Sequence, residues 1–422
     1  MSHPGTDTPQ QSLRPIDGTH AKGLAGKQFF TSEAPFRFEC GKILPAITLA
    51  YETFGRPNAE RSNAILLCHA LTGDSHVARH HAEDAPGWWE ALVGPGKAFD
   101  TNHYWIVCAN VLGGCQGSTG PSSLDPDTGR PYGTDFPVVT IGDMVEAQAR
   151  LADFLGISRW VCVAGGSMGG FQALEWSLRF PERVQATIGI ATSPRLSAQA
   201  IAFNAVGRHA ITSDPAWQGG HYYPGHAEVT CQAQFGPEIG PATGLATARM
   251  MAHITYLSEE SLDRKFGRQL QQEEGYRYEL TQEFAVESYL HHQGEKFIRR
   301  FDANTYLYLS KALDYFDVSA SHGEGVLENA FKKVQSSYLL LSYSSDWLFP
   351  TQESQRIARA LLCQGKDVSF TELTSPYGHD AFLLEAEPMT RIIRPFLQRV
   401  TEERKGRLWS DYRTHLAAAN FG

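Results

Sequence analysis

The apolar run Trp160-Val161-Cys162-Val163-Ala164 passes directly into Gly165-Gly166-Ser167-Met168-Gly169, and no other feature constrains this chain as much. A strand that enters G-x-S-x-G and leaves as a helix is the pattern of a nucleophile elbow. The turn is so tight that the serine backbone is strained, and flanking glycines remove side chains that would collide. The strain lifts the Ser167 hydroxyl clear of the end of a sheet, where a base and a substrate can reach it. Beyond the motif, Phe171, Leu174 and Leu178 share one helix face, and Pro181 stops the run. Five residues of this kind also fit an ordinary strand-to-helix loop, so the catalytic partners carry the decision.

A serine hydroxyl is a weak nucleophile until a base takes its proton. In the α/β-hydrolase arrangement the partners follow in the order Ser, acid, His. The strand-like run Ser337 to Tyr343 leads into Ser344-Ser345-Asp346, and the next, Val368 to Leu373, leads into Ser375-Pro376-Tyr377-Gly378-His379. Asp346 and His379 therefore stand where the acid and the base belong. His379 is expected to take the Ser167 proton and return it to the leaving group, with Asp346 holding the imidazole. The oxyanion needs two backbone N–H groups. Met168, directly after the serine, is one candidate; Leu71, in the loop Cys68-His69-Ala70-Leu71-Thr72-Gly73, is the other.

Strand-like runs at Ile47 to Phe54, Asn63 to Cys68, Tyr104 to Val111, Trp160 to Ala164 and Ala186 to Ala191 precede those two. Helical segments alternate with them, among them Asp143 to Leu155, capped by Asp143 and ended by Gly156. The pattern predicts an α/β protein with a mainly parallel, doubly wound sheet. Residues 195–333 break the rhythm with helix-like stretches such as Leu245 to Leu257 and Gln282 to His291, and read as a helical lid insertion. The division is then a flexible tail over 1–28, a core over 29–194 and 334–422, and the lid between.

A net charge of −9 gives no reason to expect a nucleic acid or an anionic membrane as partner. No apolar stretch reaches the ~18 residues of a membrane span, and the first 27 residues lack the apolar core of a signal peptide. The seven cysteines are scattered with no C-x-x-C pair, which fits a reducing cytoplasm and no zinc site. The glycine-rich run Gly113 to Gly120 matches neither phosphate-binding pattern and reads as a packed loop. The pairs His80-His81 and His291-His292 make no metal motif, and no metal is expected.

Further segments narrow the reading. They are His69-Ala70-Leu71-Thr72-Gly73, Gly87-Trp88-Trp89, Val93-Gly94-Pro95-Gly96-Lys97, Asn110 to Cys115, Ser118 to Ser123, Asp135-Phe136-Pro137, Phe301 to Tyr306 and Tyr377-Gly378-His379-Asp380. With the elbow, this set resembles the homoserine O-acyltransferases of the α/β-hydrolase superfamily, over roughly Phe36 to Phe396. The resemblance implies ping-pong transfer from an acyl-CoA to homoserine through acyl-Ser167, with no cofactor besides that co-substrate. It implies a lid arginine for the acceptor carboxylate and an acid beside the histidine for its ammonium, here matched to Arg268 and Asp380. It also implies a homodimer formed through the lid. Succinyl-type members tend to carry Asp-Trp-Arg-Phe; here the run is Asp346-Trp347-Leu348-Phe349, which favours acetyl-CoA. Serine as acceptor, or water, as in an esterase or thioesterase with the same triad, stays open at this level.

Overall fold

The computed structural model describes residues 26–224, 236, 238–271 and 275–419, with side chains up to 402. The expected tail lies outside the described residues except for its last three, and Gln28 already belongs to a strand. Strands β1 (Gln28–Ser32), β4 (Ile47–Phe54), β5 (Ala64–Cys68), β6 (Trp105–Ala109), β7 (Cys162–Gly166), β8 (Ala186–Ile190), β9 (Ser337–Tyr343) and β10 (Val368–Leu373) form one sheet. Its order is β1-β4-β6-β5-β7-β8-β9-β10. β1 and β4 run antiparallel at one edge, and every pairing from β6 to β10 is parallel. A short antiparallel ribbon, β2 (Phe36–Arg37) with β3 (Ile43–Leu44), stands apart.

The central strands are apolar on both sides because both sides are covered. Side chains alternate across a strand. Leu66, Val107, Val163 and Leu340 face a core shared with α1 (Ile141–Phe154), α2 (Met168–Arg179) and α10 (Thr351–Cys363). Ile65, Leu67, Ile106, Ala164 and Leu339 face Met389, Ile393 and Leu397 on α12 (Ala386–Ala419) and the buried Trp89. A four-residue helix, α11 (Ala381–Leu384), precedes α12.

Between β8 and β9 the chain builds α3 (Ala198–Thr212), α4 (Ala242–Tyr256), α5 (Glu259–Lys265), α6 (Ala285–Phe297), α7 (Ala303–Tyr315), α8 (Val318–His322) and α9 (Leu327–Ala330). The neck of this insertion is narrow. Arg195 and Asp317 form an antiparallel bridge, and the Val318 N–H donates to the Pro194 carbonyl at 2.9 Å.

Two expectations need correction. Trp160 lies outside β7 and only bridges Val184, because the ladder with β5 runs from Cys162 to Gly165. The first two glycines of the elbow are thus still strand. The cap of α1 is Thr140, not Asp143. Asp143 is the third helical residue, and its carboxylate reaches back to the Thr140 N–H at 3.0 Å while the Thr140 hydroxyl accepts from the Asp143 N–H at 3.0 Å.

Candidate active site

Ser167 sits between β7 and α2 at φ 57° and ψ −124°, a backbone conformation L-residues avoid. Its N–H donates to the Ile190 carbonyl on β8 at 2.9 Å, which pins the turn to the sheet. The flanking glycines are required by close approach. A Cβ on Gly169 would lie 2.0 Å from the Cys68 carbonyl oxygen, and one on Gly165 would lie 2.4 Å from the Gly169 carbonyl. Met168 opens α2, so its N–H belongs to the first helical turn, where no intrahelical acceptor exists.

Asp346 follows β9 and is 4% exposed. One carboxylate oxygen accepts from the Leu348 and Phe349 N–H groups at 3.0 and 2.9 Å. The other takes the Nδ1–H of His379 at 2.8 Å. That bond sets the histidine tautomer and leaves Nε2 as the lone-pair nitrogen. This Nε2 is buried and has no hydrogen-bond partner among the described residues. The imidazole is packed by Phe349, Phe382 and Tyr256, with ring centroids 5.0, 5.4 and 6.0 Å away. The two loops are cross-linked: the Gly378 N–H donates to the Ser345 hydroxyl at 2.9 Å, and that hydroxyl donates to the Ser375 carbonyl at 2.5 Å.

Leu71 and Ser167 line one cavity, which opens to solvent. Phe203 of α3, Tyr256 of α4, Tyr306 of α7 and Leu348 also line it, so the insertion roofs the serine. The roof is tied to the triad loops. Trp347 donates its indole N–H to the Leu257 carbonyl at 2.9 Å, the Ser258 hydroxyl donates to the Pro376 carbonyl, and a Cβ on Gly378 would lie 2.5 Å from the Ser258 nitrogen.

The two residues expected to hold the acceptor part company. Asp380 lies beside His379, and its carboxyl is held above the usual range by burial, against the opposing pull of His379 and Arg249. Arg268 is not brought to the cavity. It is exposed on the outside of the insertion, 3.5 Å from the Tyr276 hydroxyl and 5.3 Å above the Phe284 ring. The guanidinium near Asp380 is that of Arg249 on α4. It lies 5.6 Å from the Tyr256 ring and 3.3 Å from the Thr72 hydroxyl, and has no carboxylate within ion-pair distance among the described residues. Its signal in the sequence was the seven-residue step to Tyr256, two helical turns that put both on one face.

Other missed residues hold the loop that carries Leu71. His69 is buried; its Nδ1–H donates to the Ala70 carbonyl at 2.8 Å, and its Nε2 accepts from the Val111 N–H at 3.1 Å. Both bonds require neutral imidazole, and burial lowers its pKa accordingly. Gln172 donates to the His69 carbonyl at 3.1 Å, and Arg300 donates to the Thr72 carbonyl at 3.0 Å. The glycine-rich run after β6 is packed, with the Thr119 N–H bonded to the Thr48 carbonyl at 2.8 Å and the Gln116 amide bonded to the Arg300 carbonyl at 2.7 Å.

Sheet order, elbow and buried histidine–acid pair define an α/β-hydrolase. Residues 63–386 match the family model described as alpha/beta hydrolase fold, and the chain belongs to that family. Its nearer kin are more specific. A homoserine O-acetyltransferase of Rhodospirillum rubrum is 53% identical over 366 residues, spanning 86% of this chain and 90% of that one. A homoserine O-succinyltransferase of Alkalilimnicola ehrlichii is 50% identical over 384 residues, 90% of this chain and 97% of that one. The crystal structure of homoserine O-acetyltransferase from Bacillus anthracis superposes with a TM-score of 0.79 at 31% identity, covering 88% of this chain and 97% of that one. Within the α/β-hydrolases, the chain belongs to the homoserine O-acyltransferases.

Proposed function

We propose that this enzyme moves the acetyl group of acetyl-CoA to the hydroxyl of L-homoserine in two half-reactions. In the first, the Ser167 hydroxyl attacks the thioester carbon while His379 Nε2 takes its proton. The tetrahedral oxyanion is met by the Leu71 and Met168 N–H groups; the C–S bond breaks, and the thiol leaves with the proton from His379. In the second, the homoserine hydroxyl attacks acyl-Ser167, His379 takes its proton, and Ser167 leaves with that proton. Asp346 stabilises the imidazolium in both. Acetyl-CoA is consumed as a substrate, and the scheme calls on no resident cofactor or metal.

The observation that carries this reading is the roofed cavity. A hydrolase wants water at the acyl-serine; a transferase must place another hydroxyl there and hold water off. Arg249, with no carboxylate within ion-pair distance among the described residues, suits the α-carboxylate of an amino acid, and Asp380 suits its ammonium. The donor is read from Leu348. It lines the cavity where a cation would be needed to offset burial of a succinyl carboxylate. Relatives of both donor names stand near 50% identity, so identity alone does not choose between them. We further propose a cytoplasmic homodimer that meets through the insertion. In support, Ile201, Ala202, Ala205 and Val206 form an exposed apolar stripe on α3.

The test is thiol release from acetyl-CoA and succinyl-CoA with L-homoserine, L-serine or no acceptor, and with Ser167→Ala as the blank. Release from acetyl-CoA that requires homoserine is expected. Preference for succinyl-CoA would overturn the donor assignment, and release without acceptor would make the enzyme a thioesterase. Near-normal turnover by Ser167→Ala would end the covalent mechanism.

A further inference from the structure

Glu52 lies on β4 opposite Cys108 of β6 and is 1% exposed, a carboxylate inside the protein and outside the triad. Such a group is stable only when its oxygens are filled. Its Oε1 accepts from the Ser75 hydroxyl at 2.9 Å. Its Oε2 lies 2.9 Å from both His76 Nδ1 and His80 Nε2. The proton inventory of His76 follows from its partners. Its Nε2 is 2.8 Å from the Ala85 carbonyl, which can only accept, so Nε2 carries a proton. Its Nδ1 faces a carboxylate, so it carries one too. His76 is an imidazolium bonded to a buried carboxylate. The Glu52 hydrogen bond raises its pKa to about 9 against the opposing effect of burial; burial of Glu52 is outweighed by bonds from His76, His80 and Ser75, which bring it down to about 2.

Ser75 and His76 end the loop that begins at His69 and carries Leu71. His69 and Gln172 fix the near end of that loop, Arg300 holds its Thr72 carbonyl, and Glu52 holds the far end. The segment that follows returns to the catalytic histidine's side: Trp88 donates to the Asp74 carbonyl at 3.0 Å, and Trp89 donates to the Phe382 carbonyl at 2.9 Å. We propose that Glu52, through Ser75 and His76, is a positioning residue that sets where the Leu71 N–H stands for the oxyanion. The proposal rests on the assignment of Leu71 given above. Both half-reactions pass through an oxyanion, so both depend on this latch, whereas acceptor binding does not.

The experiment is Glu52→Gln in the full-length enzyme, with rates expressed per serine titrated by a fluorophosphonate, so that misfolded protein does not count. Acetylation of Ser167 and transfer to homoserine are timed separately. A misplacement of about 1 Å costs roughly 10²-fold in rate. The expected result is a loss of about 10- to 100-fold in both half-reactions, with homoserine KM within about twofold of wild type. Ser75→Ala, which removes one hydrogen bond and leaves both histidines in place, should give a smaller loss of the same kind. His322→Gln breaks another carboxylate–histidine contact, His322 to Glu175 at 2.8 Å, far along the chain from this loop. It should lower thermal stability and leave the rate per serine unchanged. Wild-type rates per serine for Glu52→Gln and Ser75→Ala would overturn the proposal, as would a loss confined to the second half-reaction. A stoichiometric divalent cation that Glu52→Gln loses would overturn it too, since a metal and not two N–H groups would then join the cluster. Failure of wild-type transfer to homoserine would count against the function and not against the latch, because acetylation is timed alone.

Discussion

Ser167 is held in a conformation that costs on the order of 1–3 kcal/mol, and the fold offsets that cost by docking its N–H on β8. Its charge partners are less visible. Arg249 and Arg268 are both arginines of the insertion, and only the packing of α4 against the cavity separates them. Replacing Arg249 by Ala should raise homoserine KM by about 10- to 100-fold, the worth of a charged hydrogen bond, and leave acetylation of Ser167 unchanged. Arg268→Ala should stay within about twofold of wild type in both halves, since the side chain is exposed. Half-reaction kinetics on the two variants decide the matter: a large acceptor defect in Arg268→Ala, with Arg249→Ala intact, would restore the expectation drawn from resemblance.

At the scale of elements, the elbow works because α2 packs onto the end of β5 with no room for a methyl group. Gly169→Ala would push a carbon to 2.0 Å from the Cys68 carbonyl oxygen, which is backbone and cannot yield cheaply. A loss of about 1–3 kcal/mol is expected from such overpacking, read as a lowered thermal midpoint, with transfer falling further because Met168 moves with the helix. An unaltered midpoint would show that the strand end has slack. The strands were legible to differing degrees for related reasons. β9 begins and ends where its apolar run does, because polar residues bound it on both sides. β7 shifted by two residues because glycine carries no apolar signal and yet pairs well. β1 escaped because it is a five-residue edge strand with alternating exposure beside a polar segment. Of the candidate site, Ser167, Asp346 and His379 could be singled out because each follows a strand in a fixed order along the chain. Arg249, His69 and Glu52 could not, because their contacts are with neighbours distant in sequence.

For the whole molecule, the central consequence is that sheet and insertion share one cavity but divide its duties. The strand ends carry Ser167, Asp346 and His379; the insertion carries the roof and Arg249. The apolar stripe on α3 faces away from that cavity, and Ile201 and Val206 are 37% and 50% exposed. Exposed apolar patches of this kind mark contact surfaces. Light scattering after size-exclusion chromatography should give twice the chain mass of 46.7 kDa. Ile201→Asp with Val206→Asp should return the protein to one chain mass while the serine still reacts. A monomer in the wild type would remove the dimer from the picture.

The neck at Pro194 and Arg195 against Asp317 and Val318 has a meaning beyond architecture. The helices that roof Ser167, and Arg249 with them, enter and leave the fold through that one pinch. Length and sequence can therefore change on the far side without disturbing strand register on the near side. A lineage built this way can trade one acceptor for another, a longer hydroxy acid for a shorter one or either for water, by rewriting a single uninterrupted stretch of gene. The apparatus that loads the serine is inherited unedited.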